Sequence, residues 1–213
     1  MKVALRAIIV LLIIGVPVVL VLTGTMNLKS AFTNTNQQFM EARQMLLEED
    51  FGVGVYLGDD FEETVVYLGK PSSITEYGLT TSASYYLPLG SRITNAASAD
   101  GEMTLVAYNN AITGVTIRLF GAGDNEPVDL QFAGALLEDL EPDDLTDRFG
   151  KPAARFVILG NKVFAWYLLP PVKTTEGYKL DLGGTMQVTA RFSKAGGELR
   201  ALSVKVPHKG EVR

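Results

Sequence analysis

The residues Leu68-Gly69-Lys70-Pro71 return as Phe149-Gly150-Lys151-Pro152, 81 positions further on, and each copy runs ahead of an aromatic pair, Tyr85-Tyr86 or Trp166-Tyr167. The same shift carries Phe51 to Phe132 and Leu87 to Leu168. A single ungapped offset shared by so many landmarks indicates internal duplication, with units near 51–120 and 132–207 joined by the turn-rich GAGDNEP at 121–127. Past the aromatic pair the match slips: Tyr108 aligns with Phe192 at an offset of 84, and GVTIRLF 114–120 with ALSVKVP 201–207 at 87. Insertions of that size belong in hairpin loops.

The chemistry of the repeated turn says what each unit begins with. In the first unit Asp60 precedes Phe61-Glu62-Glu63, so its carboxylate can cap free backbone N–H groups while Glu63 reaches back, the pattern of a capping box. Gly69 supplies the left-handed residue that ends the helix, and Pro71 prevents its resumption. In the second unit Glu141 is a weaker cap, but Pro142 suits a first helical turn and Asp143 and Asp144 favour the positive end of the helix dipole, before Gly150 and Pro152 close it. The turn therefore stops a helix and sends the chain into a sheet.

Strands come next. RFVIL and VFAWYLL around Gly160-Asn161 predict a hairpin, since Gly-Asn supplies the positive φ that tight hairpin turns require. Phe164, Trp166 and Leu168 alternate toward one face; so do Met186, Val188, Ala190 and Phe192 in a third strand and Leu202, Val204 and Val206 in a fourth. ITEYG, SYYLPL, MTLVAY and GVTIRL repeat the order in the first unit. The predicted class is α+β: an N-terminal transmembrane helix followed by two tandem repeats, each a short helical segment plus a four-stranded antiparallel sheet. The predicted division is 1–26 as membrane anchor or signal peptide, 27–50 as a linker with an amphipathic helix, 51–120 as the first repeat, 121–131 as a linker and 132–213 as the second repeat with a C-terminal tail.

The N-terminal reading rests on AIIVLLIIGVPVVLVL at 7–22, extended by Thr23-Gly24-Thr25-Met26 to about twenty residues, enough at about 1.5 Å per residue to cross a bilayer core. Lys2 and Arg6 ahead of it predict a cytoplasmic N-terminus with the bulk of the chain periplasmic or extracellular. A cleaved signal peptide has the same order of charge and apolarity, and it exports the rest equally. After it, Phe39, Ala42, Met45 and Leu46 fall at helical spacing.

Composition excludes more than it assigns. The chain of 213 residues has a net charge of −5 and no basic stripe, which argues against nucleic acid and anionic lipid surfaces as partners. It has no cysteine and a single histidine, His208, so thiolate nucleophiles, Cys/His zinc sites and lipidation at an N-terminal cysteine are absent. No cofactor, metal or catalytic residue is predicted. The acidic run Glu138 to Asp144 with Asp147 lacks the ligand alternation and glycine of a calcium loop and suits a helix start. Asp59, Asp60, Glu62 and Glu63 read as capping groups rather than a hydrolytic carboxylate pair, and GVGVYLG at 52–58 lacks a phosphate loop's spacing. Adjacent aromatics in a strand point to opposite faces, so Trp166 reads as core and Tyr167, with its counterpart Tyr86, as outward. Exposed tyrosines are frequent anchors in protein interfaces, and Tyr86 and Tyr167 are the candidate partner-binding residues.

The order of a glycine-bracketed helix, L-G-x-P, an aromatic strand and alternating strands resembles the SmpA/OmlA (BamE-like) family of small envelope lipoproteins. A tandem of such units resembles the architecture of β-lactamase inhibitor protein. Against the family pattern G-M-T-x-x-x-V-x-x-x-L-G-x-P, the first unit matches at Gly58, Leu68, Gly69 and Pro71, with Asp60 in place of the capping threonine and Thr64 in place of the valine. The second keeps Leu145, Gly150 and Pro152 but has Asp139 where glycine belongs. The chain also lacks the lipid-bearing cysteine of those lipoproteins, an apolar run standing in its place. The resemblance implies a protein that acts by binding proteins; with the apolar N-terminal run, the duplication and the outward tyrosines, the expected function is a non-catalytic, membrane-anchored protein that binds a protein partner, such as a membrane or envelope complex, or assists assembly. An enzyme inhibitor is the first alternative and a carboxylate-based envelope hydrolase the second.

Overall fold

The computed structural model describes residues 28–89, 99–120, 130–168, 171–174, 177–180, 185–195 and 197–206. The apolar run at 7–23 lies outside them; among the described residues no helix is long and apolar enough to cross a membrane. The chain forms two compact units, 1–37 and 38–213. Of the first, only the opening of helix α1 (Leu28–Leu47) is described. The second contains the sheet and its core, and in it Ala42 and Leu46 of α1 are buried as their spacing predicts.

Helices α2 (Phe61–Leu68) and α3 (Pro142–Phe149) each lead into a meander. The first meander is β1 (Ser73–Tyr77), β2 (Thr80–Leu87), β3 (Gly101–Tyr108) and β4 (Ala111–Leu119). A small hairpin, β5 (Gln131–Phe132) with β6 (Ala135–Leu136), precedes α3. The second meander is β7 (Ala154–Ile158), β8 (Asn161–Leu168), β11 (Met186–Ser193) and β12 (Leu199–Lys205). It is interrupted by a separate hairpin of β9 (Pro171–Thr174) and β10 (Gly177–Leu180), which the sequence pattern does not announce.

The two sheets expected from the sequence are one. The strand order β1-β2-β3-β4-β12-β11-β8-β7 makes a single eight-stranded antiparallel sheet, fused where β4 pairs with β12. Both of these strands are apolar on the helix-bearing face. Val115 stands opposite Val204 and Ile117 opposite Leu202, all buried. Left as edges, each would expose a row of unpaired backbone groups; paired, they satisfy one another. Both halves therefore drain into one continuous core, from Ala83, Tyr85 and Met103 through Val115 and Val204 to Val188 and Trp166. Six aromatic rings bridge it, Phe51 stacking on Phe132 at 5.9 Å and Phe132 leading through Phe149 and Trp166 to Phe164 and Phe192.

The repeated stop behaves alike in both halves. Gly69 has φ 84 and ψ −162, Gly150 φ 75 and ψ −168, a region open essentially to glycine alone. Just beyond, Ser72 N–H donates to the Ser84 carbonyl and Ala153 N–H to the Ala165 carbonyl, both at 2.8 Å. Trp166 closes the second turn by donating its indole N–H to the Gly150 carbonyl at 2.8 Å. Its counterpart Tyr85 is buried with no partner for its hydroxyl among the described residues.

Caps and turns depart from expectation in detail. Asp60 accepts from Glu63 N–H at 3.0 Å, as predicted, but its other oxygen takes the Asn110 amide at 2.6 Å, and the Asn110 carbonyl accepts Phe61 N–H. The β3–β4 turn, with Asn109 and Asn110 both at positive φ, thus caps α2 from across the fold. The reciprocal cap bond appears instead in α3, where Asp144 accepts from Glu141 N–H at 2.8 Å. The β7–β8 turn is centred on Leu159-Gly160, at φ 47 and 75, rather than Gly160-Asn161. Asn161 opens β8 because pairing Ile158 with Asn161 keeps Trp166 facing the core.

Gly69→Ala and Gly150→Ala should each lower unfolding free energy by about 1–3 kcal/mol in urea titrations. At Gly69 a Cβ meets nothing within 4 Å, so that loss is purely conformational; a change under about 0.5 kcal/mol would mean the turn is not held in this geometry.

Candidate functional site

One face of the sheet carries the helices and the core; the other is lined mostly by half-buried and exposed side chains, with Val163 and Ala165 of β8 buried on it. The register sets out that outer face row by row. A central row runs Ser73, Ser84, Thr104, Thr116, Ser203, Thr189, Ala165, Ala154 across all eight strands. Hydroxyls along it hydrogen bond to one another, Ser84 with Thr104 at 3.0 Å and Thr116 with Ser203 at 2.9 Å. The row keeps the face flat, because side chains of this size stand little above the pleat.

Both candidate tyrosines lie on this face. Tyr86 is half-buried and Tyr167 is 45% exposed, while their neighbours Tyr85 and Trp166 are buried on the core side. They are not brought together. Tyr86 continues into Glu102 and Arg118 on one side of the hydroxyl row, whereas Tyr167 continues into Gln187 and Lys205 on the other. Five strand spacings of about 4.8 Å separate their strands, roughly 24 Å. The pair therefore marks two opposite corners of a broad surface.

Charge is segregated. Asp59, Asp60, Glu62 and Glu63 gather around the start of α2, and Glu138, Asp139, Glu141, Asp143, Asp144 and Asp147 around α3, with Arg148 among them. On the outer face Glu102 is matched by Arg118 at 3.4 Å, and Arg191 and Lys205 are exposed. Among the described residues no three His, Cys, Asp or Glu side chains converge as a metal site would require. The carboxylates ahead of α2 are engaged in turns: Asp59 accepts Tyr56 N–H at 2.9 Å and Asp60 serves the α2 cap.

No family profile matches the chain, and no curated protein matches it. Solved structures that it is similar to include a DUF4309 family protein, YjgB, of Bacillus subtilis, at 8% identity and a TM-score of 0.41, covering 80% of this chain and 97% of that one. An extracellular protein containing an SCP domain from Bacillus anthracis shares 12% identity at a TM-score of 0.39, over 70% of this chain and 44% of that one. A putative β-lactamase inhibitor protein of Streptococcus mutans shares 14% identity at a TM-score of 0.22, over 70% and 83%.

A buried carboxylate that no sequence pattern marks ties the two halves together on the core side. Glu49, 9% exposed, accepts Phe51 N–H at 3.2 Å and Ala133 N–H at 2.6 Å. It thereby serves two residues at positive φ, one at the start of each half. Burial raises its pKa above the ordinary carboxylate value, outweighing the two backbone hydrogen bonds, which lower it. A folded-state pKa above the unfolded one means that the favourable contribution is complete below the unfolded value and is lost as pH rises through the folded value. Relative to Glu49→Gln, the wild-type protein should therefore lose unfolding free energy on going from about pH 4 to about pH 7. A relative gain over that interval would show the charged hydrogen bonds to dominate over desolvation.

Proposed function

We propose that the chain is a membrane-anchored, extracytoplasmic protein-binding or assembly accessory protein without catalytic activity. In this reading residues 7–23 hold it in the membrane, the N-terminus is cytoplasmic and the bulk is periplasmic or extracellular. The two meanders descend from one duplicated, BamE-like unit, and the partner is a protein, such as a membrane or envelope complex, seated on the outer face of the sheet with Tyr86 and Tyr167 as contacts. The observation that carries the reading is that broad outer face, flat in its middle and bearing a tyrosine at each of two opposite corners. Matching helix stops, and the paired backbone hydrogen bonds just beyond them, support the duplication.

Affinity capture from detergent-solubilised membranes, using the full chain, tests it. The wild-type chain should retain a stoichiometric protein partner, and Tyr86→Ala with Tyr167→Ala should lower recovery about tenfold or more, since interface tyrosines commonly carry at least 1–2 kcal/mol each. Unchanged recovery with the double variant would remove these tyrosines from the interface. An enzyme inhibitor differs in one respect: cut free of residues 1–30 it should still act, whereas an accessory protein should need its anchor.

A further inference from the structure

The two edges of the sheet fit each other. β1 and β7 each pair with one described strand only. Because the sheet has eight strands, every neighbouring pair antiparallel, its first and last strands run in opposite directions. A second copy laid beside the first in the same orientation therefore brings its β1 antiparallel to β7, and the sheet continues across the boundary.

The two hairpins decide which residues at that junction face outward. In a hairpin with a two-residue turn the residues flanking the turn exchange both backbone hydrogen bonds, and alternate pairs do so along the ladder. Tyr77 flanks the β1–β2 turn opposite Thr80, and Ile158 flanks the β7–β8 turn opposite Asn161. Tyr77, Thr75 and Ser73 thus spend their N–H and C=O groups on β2, and Ile158, Phe156 and Ala154 spend theirs on β8. The groups directed outward belong to Ile74 and Glu76 on one edge and to Arg155 and Val157 on the other. Antiparallel pairing with the two five-residue strands fully overlapped places Val157 opposite Ile74 of the second copy and Arg155 opposite its Glu76. These four residues all lie on the helix-bearing side of their strands, since Ile74 pairs with buried Ala83 and Arg155 with Phe164.

Side chains agree with this register. Ile74 is 51% exposed and Val157 60% exposed. Glu76 and Arg155 are the only charges on their strands and have opposite signs; neither forms an ion pair among the described residues. Arg155 lies over the Phe164 ring at 5.5 Å. On the outer side exposed Tyr77 would stand opposite Ala154, and exposed Phe156 opposite Thr75. Neither strand carries the proline or lysine with which natural edges commonly block pairing. Symmetric alternatives with the same full overlap fit worse: β7 on β7 centred at Phe156 sets Arg155 against Val157, and β1 on β1 centred at Thr75 sets Ile74 against Glu76.

We propose that copies of this chain associate head to tail through β7 of one and β1 of the next, extending one continuous sheet, with Arg155–Glu76 and Val157–Ile74 fixing the register. Such a contact does not close on itself and yields open chains of copies. It is independent of any partner on the outer face.

The chain contains no cysteine, so engineered thiols report the junction directly. Phe156 and Thr75 form a non-hydrogen-bonded pair, whose Cα separation of about 4.5 Å accepts a disulfide. Full-length Phe156→Cys and Thr75→Cys chains, mixed in detergent under mild oxidation, should give a disulfide-linked dimer that neither variant gives alone. One chain carrying both substitutions should give a ladder of multimers. Glu76→Lys should cut the yield about tenfold through like-charge opposition, and adding Arg155→Glu on the other partner should restore it. No mixed disulfide, equal crosslinking by either variant alone, or indifference to the charge exchange would each overturn the proposal.

Discussion

The pairing of β4 with β12 decides what kind of molecule this is. Each half would otherwise be a helix on a four-stranded meander with one apolar strand left at an edge. Joining Val115 to Val204 and Ile117 to Leu202 across the seam removes both edges and merges the apolar faces. Phe51 then packs against Phe132, its own counterpart, and Glu49 clamps backbone from both halves at the same place. The core, the flat outer face and the opposed outer edges all depend on that one ladder.

Local physics is readable in the sequence wherever a residue type is nearly obligatory. Gly69 and Gly150 are legible as helix stops because only glycine holds their conformation at low cost. The inward set of β8, β11 and β12 is legible from its period of two. The two aromatic pairs divide between core and surface for the same reason. Contacts between distant segments lie beyond reach. Asn110 caps a helix that begins 49 positions earlier, near Asp60; Glu49 reaches Ala133. No local pattern encodes such partners, although Asn109-Asn110 between two strands is a usable hairpin signal.

The fusion of the sheets is hidden for a related reason. A meander of four alternating strands looks the same whether its last strand is an edge or a seam, and only the buried apolar run on both β4 and β12 hints that each needs a neighbour. The displaced β7–β8 turn has a simpler cause: Leu159, 94% exposed and at positive φ, is a residue type that rarely occupies such a site, and the register demanded by Trp166 overrides propensity. For the candidate site, alternation identifies Tyr86 and Tyr167 as outward but cannot give their separation, which depends on strand order.

If both halves share one core, damage to one must be felt in the other, and the sole tryptophan, Trp166, sits in only one of them. Leu105 lies fully buried in β3 of the other half. Leu105→Ala should lower the unfolding free energy read from Trp166 fluorescence in urea by about 2–5 kcal/mol, in a single transition coincident with circular dichroism. A Trp166 transition unmoved by Leu105→Ala, with the circular dichroism splitting into two steps, would show two independent units and contradict a shared core.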